Sequence, residues 1–229
     1  MFYSVSIGGK DMLSEFGCYR AHVYISVPSV QTKFLSVPLR NGRIDLTEYL
    51  TGDVKYDDRK IKIELLYKGK NYNAVYSDIS NYLHGKRMEI VFDDDPFYFY
   101  VGRCEVGDFA KENYGGTIEI EAQCDPYKYA VQSSSEDWLW DSFDFEEGYI
   151  NEMSNIVVSG TKSVTLITDA KGYAKITTTA AMSVNYKNKT VNIPVGTTTM
   201  YDFEFTEGNN VLTFSGNGTV TIDYRGERL

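Results

Sequence analysis

The chain has 229 residues, 42% of them hydrophobic and 24% charged, an ordinary composition for a folded protein with room for one large β domain or two smaller ones. Its 32 acidic and 23 basic residues give a formal charge of -9, which argues against a large nucleic-acid footprint, since phosphate contacts need clustered Lys and Arg. Cys18, Cys104 and Cys124 are too few and too far apart for a disulfide scaffold or a CxxC metal site, so reduced, buried thiols are expected.

An aromatic content of 14%, with 19 Tyr and 12 Phe, favours strands over helices. The start, "MFYSVSIGGKDMLSEFG", lacks the basic and apolar pattern of a secretory leader, and no window approaches the ~18 apolar residues of a membrane span. Neither secretion by a signal peptide nor membrane insertion is expected.

In chain order, "CYRAHVYISVPSVQTKFLSVPL" alternates Val23, Ile25 and Val27 against Tyr24 and Ser26 and is broken by Pro28 and Pro38, which predicts short strands. An Asn-Gly turn at 41 and 42 follows. In "VKYDDRKIKIELLY", Ile61, Ile63 and Leu65 share one side, predicting a strand over 60–67. "NAVYSDISNYLHG" then changes period: Ser77 or Asp78 is placed to cap a helix, Ile79, Tyr82 and Leu83 share a face, and Gly85 ends it. "RMEIVF", a "DDDP" turn, "FYFYVGRCEVGDF" and "GGTIEIEAQC" supply further strands, with Gly102, Gly107, Gly115 and Gly116 as punctuation.

The strand ending at Cys124 stops where Pro126 holds Asp125 in an extended or turn conformation. Tyr127 and Tyr129, two apart, are expected to pack the departing segment against the first domain. A polar, acidic stretch carrying Trp138 and Trp140 follows, and a domain boundary is expected here, with 1–130 before it and 131–229 after. From residue 150 onward, short alternating segments from "NIVVSG" to "GTVTIDY" recur at the spacing of a sandwich or barrel, with "SG", "KG", "EGNN" and "SGNG" as turns. The fold class is therefore all-β, with one short helix in the first domain.

Chemistry is sparse. His22 and His84 have no metal-site spacing with Cys or carboxylates, and structural or surface roles are expected. Asp93, Asp94 and Asp95 have the residue type for a hard cation but not the calcium-loop spacing, so a turn is expected. Arg59, after Asp57 and Asp58, is expected to pair with a carboxylate or another chain, since no phosphate-binding glycine loop accompanies it. Asp144, Glu146 and Glu147 beside Trp138 and Trp140 superficially resemble a sugar-cleaving pair, but nothing sets the carboxyl separation, and the tryptophans are better suited to a domain seam or a chain contact. Cys124 lacks a visible activating base and is expected to be core. No enzymatic activity and no cofactor are expected.

Taken together, "MLSEFGCY", "VPLRNGRIDLTEYLTGDVKYDDRKIKIEL", "YSDISNYLHGKRMEIVFDDDPFYFYVGR", "GGTIEIEAQCDPYKY" and the closing "GNNVLTFSGNGTVTIDYRGERL" resemble the distal tail proteins of long, non-contractile-tailed bacteriophages, the siphophage baseplate hub, across nearly the whole chain. The resemblance implies an amino-terminal β-sandwich that closes a homohexameric ring and an outer galectin-like β-sandwich. It implies a virion location at the distal end of the tail, after synthesis in the host cytoplasm. The implied partners are the tail tube protein, the tail-associated fibre or lysin protein and, in some phages, a receptor-binding protein. It places Arg59 and the helix bearing Tyr82 in the ring-forming domain and makes Asp125, Pro126 and Tyr127 the exit toward the outer one. A carbohydrate-binding module for host glycans is the alternative, because galectin-like folds serve that role elsewhere.

Overall fold

A computed structural model describes residues 3–49, 52–112, 114–136, 152–168 and 171–229. The chain forms two compact units, Met1–Lys128 with Leu229, and Tyr129–Arg228.

The first unit contains β1 (Val5–Ile7), β2 (Lys10–Asp11), α1 (Met12–Phe16), β3 (Cys18–Ile25), β4 (Phe34–Leu35), β5 (Ile44–Asp45), β6 (Arg59–Tyr67), α2 (Tyr72–Leu83), β7 (Arg87–Phe92), β8 (Asp95–Glu112) and β9 (Gly115–Cys124). Antiparallel pairing runs in the order β2-β1-β7-β8-β9-β6-β3, leaving β3 at one edge. In β6 the burial alternates, with Arg59, Ile61, Ile63 and Leu65 inward, and β9 answers with Ile118, Ile120, Ala122 and Cys124. The strand predicted over 60–67 is present. The "DDDP" segment makes a hairpin in which Asp93 and Asp94 form the turn and Asp95 already pairs with Phe92.

The helix differs from its prediction at its start. α2 begins at Tyr72 after Asn71, which offers no side-chain cap. Ser77 lies inside the helix, and its hydroxyl donates back to the Asn73 carbonyl at 2.9 Å instead of capping. The extra turn is held by packing: Tyr72 is buried, contacts Phe109 with ring centroids 5.1 Å apart and donates to the Thr117 carbonyl at 2.9 Å. Ile79 and Leu83 are buried on the same helix. A further one-turn helix, α1, went unforeseen. Asp11 accepts the Ser14 N–H at its start, and Gly17, at φ 68°, closes its end.

The second unit follows β10 (Lys128–Ala130) and contains β11 (Ile156–Thr168), β12 (Ala174–Thr178), β13 (Met182–Tyr186), β14 (Lys189–Ile193), β15 (Gly196–Thr199), β16 (Gly208–Tyr224) and β17 (Glu227–Arg228). β16 is its spine. β11 occupies one edge of it from Gly208 to Val220, so β13 (at 213–215) and β12 (at 220–224) share the other edge in succession. Between those two contacts lie Gly216 and Gly218. The "SGNG" segment is therefore not a turn but the middle of a strand, and the "SG" at 159 and 160 lies within β11, with Gly160 facing Gly216. At φ 150°, Gly216 has a backbone that side-chain-bearing residues rarely adopt, and a Cβ there would lie 2.6 Å from that of Met182. The expected strand "TTMYDFEF" ends early, at Thr199. Phe203 and Phe205 instead turn into the core, where Tyr186 contacts both rings.

One buried polar residue pins this unit. The Asn210 amide donates to Thr168 Oγ1, the Thr206 carbonyl and the Gly208 carbonyl at 2.9, 2.8 and 3.0 Å, and its oxygen accepts from the Tyr186 hydroxyl at 2.5 Å. Every polar atom of a desolvated side chain is thus matched. The architecture is all-β with a curled, half-barrel second unit of galectin-like form, and its helices belong to the first unit.

Gly216→Ala is expected to lower unfolding free energy by about 1–3 kcal/mol, because its Cβ has nowhere to go. Gly107→Ala, where nothing lies nearer than 3.5 Å, is expected to stay within about 0.5 kcal/mol of wild type. Urea unfolding of both variants checks this, and equal stabilities would contradict it.

Candidate functional site

The chain's exit from the first unit is built around Arg59. Its register places it opposite Cys124 and on the inner face of β6, so the side chain turns inward and is only 4% exposed. Nε donates to the Pro126 carbonyl at 2.8 Å, and the guanidinium lies 5.3 Å from the Tyr100 ring centroid. Nη2 is buried without a hydrogen-bond partner. In place of the carboxylate expected for Arg59 stand a backbone carbonyl and an aromatic face, because the strand's alternation directs this position inward.

The neighbouring exit residues each have a defined contact. Asp125 accepts from Arg87 at 2.5 Å, and its N–H donates to the Val101 carbonyl at 3.0 Å. Tyr127 meets Tyr56 edge to face, with centroids 6.0 Å apart. Tyr127 belongs to the first unit and Tyr129, half-buried, to the second. Cys124 is buried, and burial pushes its thiol up to about 12; Cys18 and Cys104 are likewise pushed to about 12 and about 11. Thiols held this high carry almost no thiolate at neutral pH and are poor nucleophiles. Gly102 faces Cys124 so closely that a Cβ there would lie 2.3 Å from Sγ, which makes this glycine a point of close approach rather than a break in the strand.

Tyr82 is occupied within its own unit. Its hydroxyl reaches the carbonyls of Ile7 and Gly8 at 3.0 and 2.8 Å, and Lys10 lies over its ring at 4.7 Å. Trp138, Trp140, Asp144, Glu146 and Glu147 lie outside the described residues.

A cleft of about 550 Å³ lies beside the β3 edge, and the sequence gives no sign of Tyr3, Arg20, Phe92 and Tyr100 meeting there. Its walls include Tyr3, Arg20, Ile25, Phe92, Asp94 and Tyr100, and His22 lies at its side. Arg20 organises it. The guanidinium lies over Tyr3 and Phe92, at 5.1 and 5.3 Å, and pairs with Asp93 at 3.1 Å and Asp94 at 2.8 Å. Lys128 takes Asp95 at 2.7 Å. The three aspartates are therefore held by two cations from distant positions in the chain, a pairing no local motif announces. The Arg20 hydrogen bond holds the Asp94 carboxyl below its ordinary 3.8. His84 accepts the Val106 N–H on Nδ1 at 3.0 Å, which puts its neutral-form proton on Nε2. Among the described residues, no group of three or more His, Cys, Asp or Glu side chains is placed to hold a metal ion. No helix among them is long and apolar enough to cross a membrane.

The class that this architecture defines is a two-unit, all-β protein whose second unit is galectin-like. Its fold is shared along 100% of both chains with the crystal structure of the SPP1 Dit protein (gp 19.1), at a TM-score of 0.58 and 13% sequence identity; that protein is described as a paradigm of the hub adsorption apparatus in phages infecting Gram-positive bacteria. No protein-family model matches the chain, and no curated protein matches it.

Because Asp94 titrates below 3.8 when folded, its pairing with Arg20 contributes fully above that value and is lost as the pH falls through the lower, folded value. Asp94→Asn is expected to be less stable than wild type at pH 7 and indistinguishable from it once the carboxyl is protonated. With the Asp94 side chain 57% exposed, screening keeps the neutral-pH gap to at most about 1 kcal/mol. Urea midpoints across the acid range measure it, and a gap independent of pH would contradict the assignment.

Proposed function

We propose that the chain is a structural distal tail protein, the hub of a phage tail tip. Residues 1–130 close a homohexameric ring, and residues 131–229 form the galectin-like unit outside it. The ring joins the tail tube protein to the tail-associated fibre or lysin protein and, where present, to a receptor-binding protein. The observation that carries this reading is the agreement in fold over the whole of both chains with a phage hub protein. The raised thiols and the ion-paired aspartates also suit a scaffold better than a catalyst. A protein of this kind works by repeated heterologous contacts and by the opening its subunits leave, and neither requires a reactive group.

Glycan binding by the second unit is a second reading, favoured by one observation. Tyr173 and Tyr201 are exposed with ring centroids 5.8 Å apart, and the register puts Lys175 beside Thr199 and Thr177 beside Thr197 on the same outward face. Aromatic rings next to hydroxyls and a cation suit the apolar and polar sides of a sugar.

Antibody labelling of intact particles tests the main reading. Label at the distal end of the tail is expected; label on the capsid with a bare tail tip would contradict it. Glycan-array binding that disappears in Tyr201→Ala would support the second reading.

A further inference from the structure

Between β3 and β6 the chain leaves the sheet as an arm, residues 26–58, and none of its described residues belongs to the hydrophobic core of the first unit. The arm is an extended hairpin. Val30 bridges Tyr56, Phe34 pairs with Asp45, and Leu35 pairs with Ile44. Every residue from 29 to 43 is exposed, including Val30, Phe34, Leu35, Val37 and Leu39, and Val27 and Tyr49 are exposed beside them. An ordered segment that presents this much apolar surface lacks the burial that normally offsets the entropy of ordering it.

The same unit carries an open stretch of sheet edge: among the described residues, Tyr3 bridges β3 at Arg20, and the later residues of β3 pair with β6 alone. β3 is the last strand of its sheet. The Ser26 N–H bonds the Lys60 carbonyl, so alternation turns the N–H groups of Val23 and Ile25 away from β6 toward the open edge. The cleft lined by Tyr3, Phe92, Tyr100 and Ile25 runs beside that edge, with Asp94 at its wall. An open edge next to a cleft of mixed aromatic and polar lining is an arrangement that accepts an added strand: main-chain hydrogen bonds give affinity and the cleft selects side chains.

We propose that the arm of one copy adds to the β3 edge of a second copy and seats its apolar residues in the neighbouring cleft. This rests on the ring reading and names its contact. The occupant is a second copy because both halves of the joint are on one chain, while an arm cannot reach its own edge. Its base is pinned at the end of β3 by Ser26 to Lys60, Asp57 to Ser29 and Gln31 to Lys55, all at 2.8 to 2.9 Å. The tip carries Lys33, Arg40 and Arg43, with Arg43 over Phe34 at 4.4 Å, and the cleft wall includes the Asp94 carboxylate, which Arg20 already pairs. A contact that joins different surfaces of identical copies, arm to edge, propagates in one direction and closes into a ring when the rotation allows.

Native mass spectrometry of the full chain tests the contact with two variants whose fold is first checked by circular dichroism. The arm variant carries Leu35→Asp and Leu39→Asp; the edge variant carries Ile25→Pro, which removes an outward N–H without breaking a bond to β6. Each alone is expected to remain monomeric, with association at least about tenfold weaker than wild type. Ile25→Ala, which keeps the N–H, is expected to assemble. An equal mixture of the two monomeric variants retains one sound arm and one sound edge, so it is expected to form dimers and nothing larger. Variants that close rings as wild type does would overturn this contact and leave the ring reading standing. A mixture that stays monomeric would overturn the pairing of arm with edge. A wild-type chain that stays monomeric at every concentration would count against both the contact and the ring, and would assign the arm to another protein.

Discussion

Both units depend on backbone strands coming closer together than side chains allow. In the first, Gly102 lets β8 lie against β9 at Cys124, where a Cβ would sit 2.3 Å from the sulfur. In the second, Gly216 and Gly218 let one strand of 17 residues serve two successive neighbours on the same edge. Larger residues at these points would force the strands apart, and the cores organised about them, Ile118 to Cys124 in one and Leu212 to Tyr224 in the other, would lose their packing.

A rigid first unit leaves few places for function. Its helix is fixed to the sheet by Tyr72, Tyr76 and Tyr82, whose hydroxyls reach the carbonyls of Thr117, Gly107 and Ile7. Its exit is held by Arg59, and its one acidic turn is neutralised by Arg20 and Lys128. Burying a guanidinium with an unsatisfied Nη2 is costly, yet here it fixes where the chain leaves the sheet. What remains open is the β3 edge and the arm beside it. The proposed contact between copies uses both.

Much of the fold was legible in the sequence because its signals were local. The alternation of Ile61, Ile63 and Leu65 marks β6, Asp93 and Asp94 make the turn, and Pro126 marks the exit. The misses share one cause: a glycine or an apolar residue does not say what approaches it. "SGNG" has the composition of a turn, and only the presence of Met182 and Ala180 beside it makes it part of a strand. The alternation at 23–27 is real, but it reports a pleat and not a covering layer, so it cannot distinguish Val23, packed on the core, from Val27, which is open to solvent. The start of α2 depended on Tyr72 meeting Phe109, thirty-seven positions away. The site was least legible of all, because Arg20 meets its aspartates only after seven strands have come into register.

The central claim is that the arm is completed by another copy of the same chain. Hydrogen exchange of its backbone amides, read by mass spectrometry at dilute and concentrated protein, addresses it directly. Residues 29–43, together with the open edge at Val23 and Ile25, are predicted to exchange rapidly when dilute and to gain protection in concert as copies associate. Protection of the arm without the edge, or exchange at both that is indifferent to concentration, would contradict it.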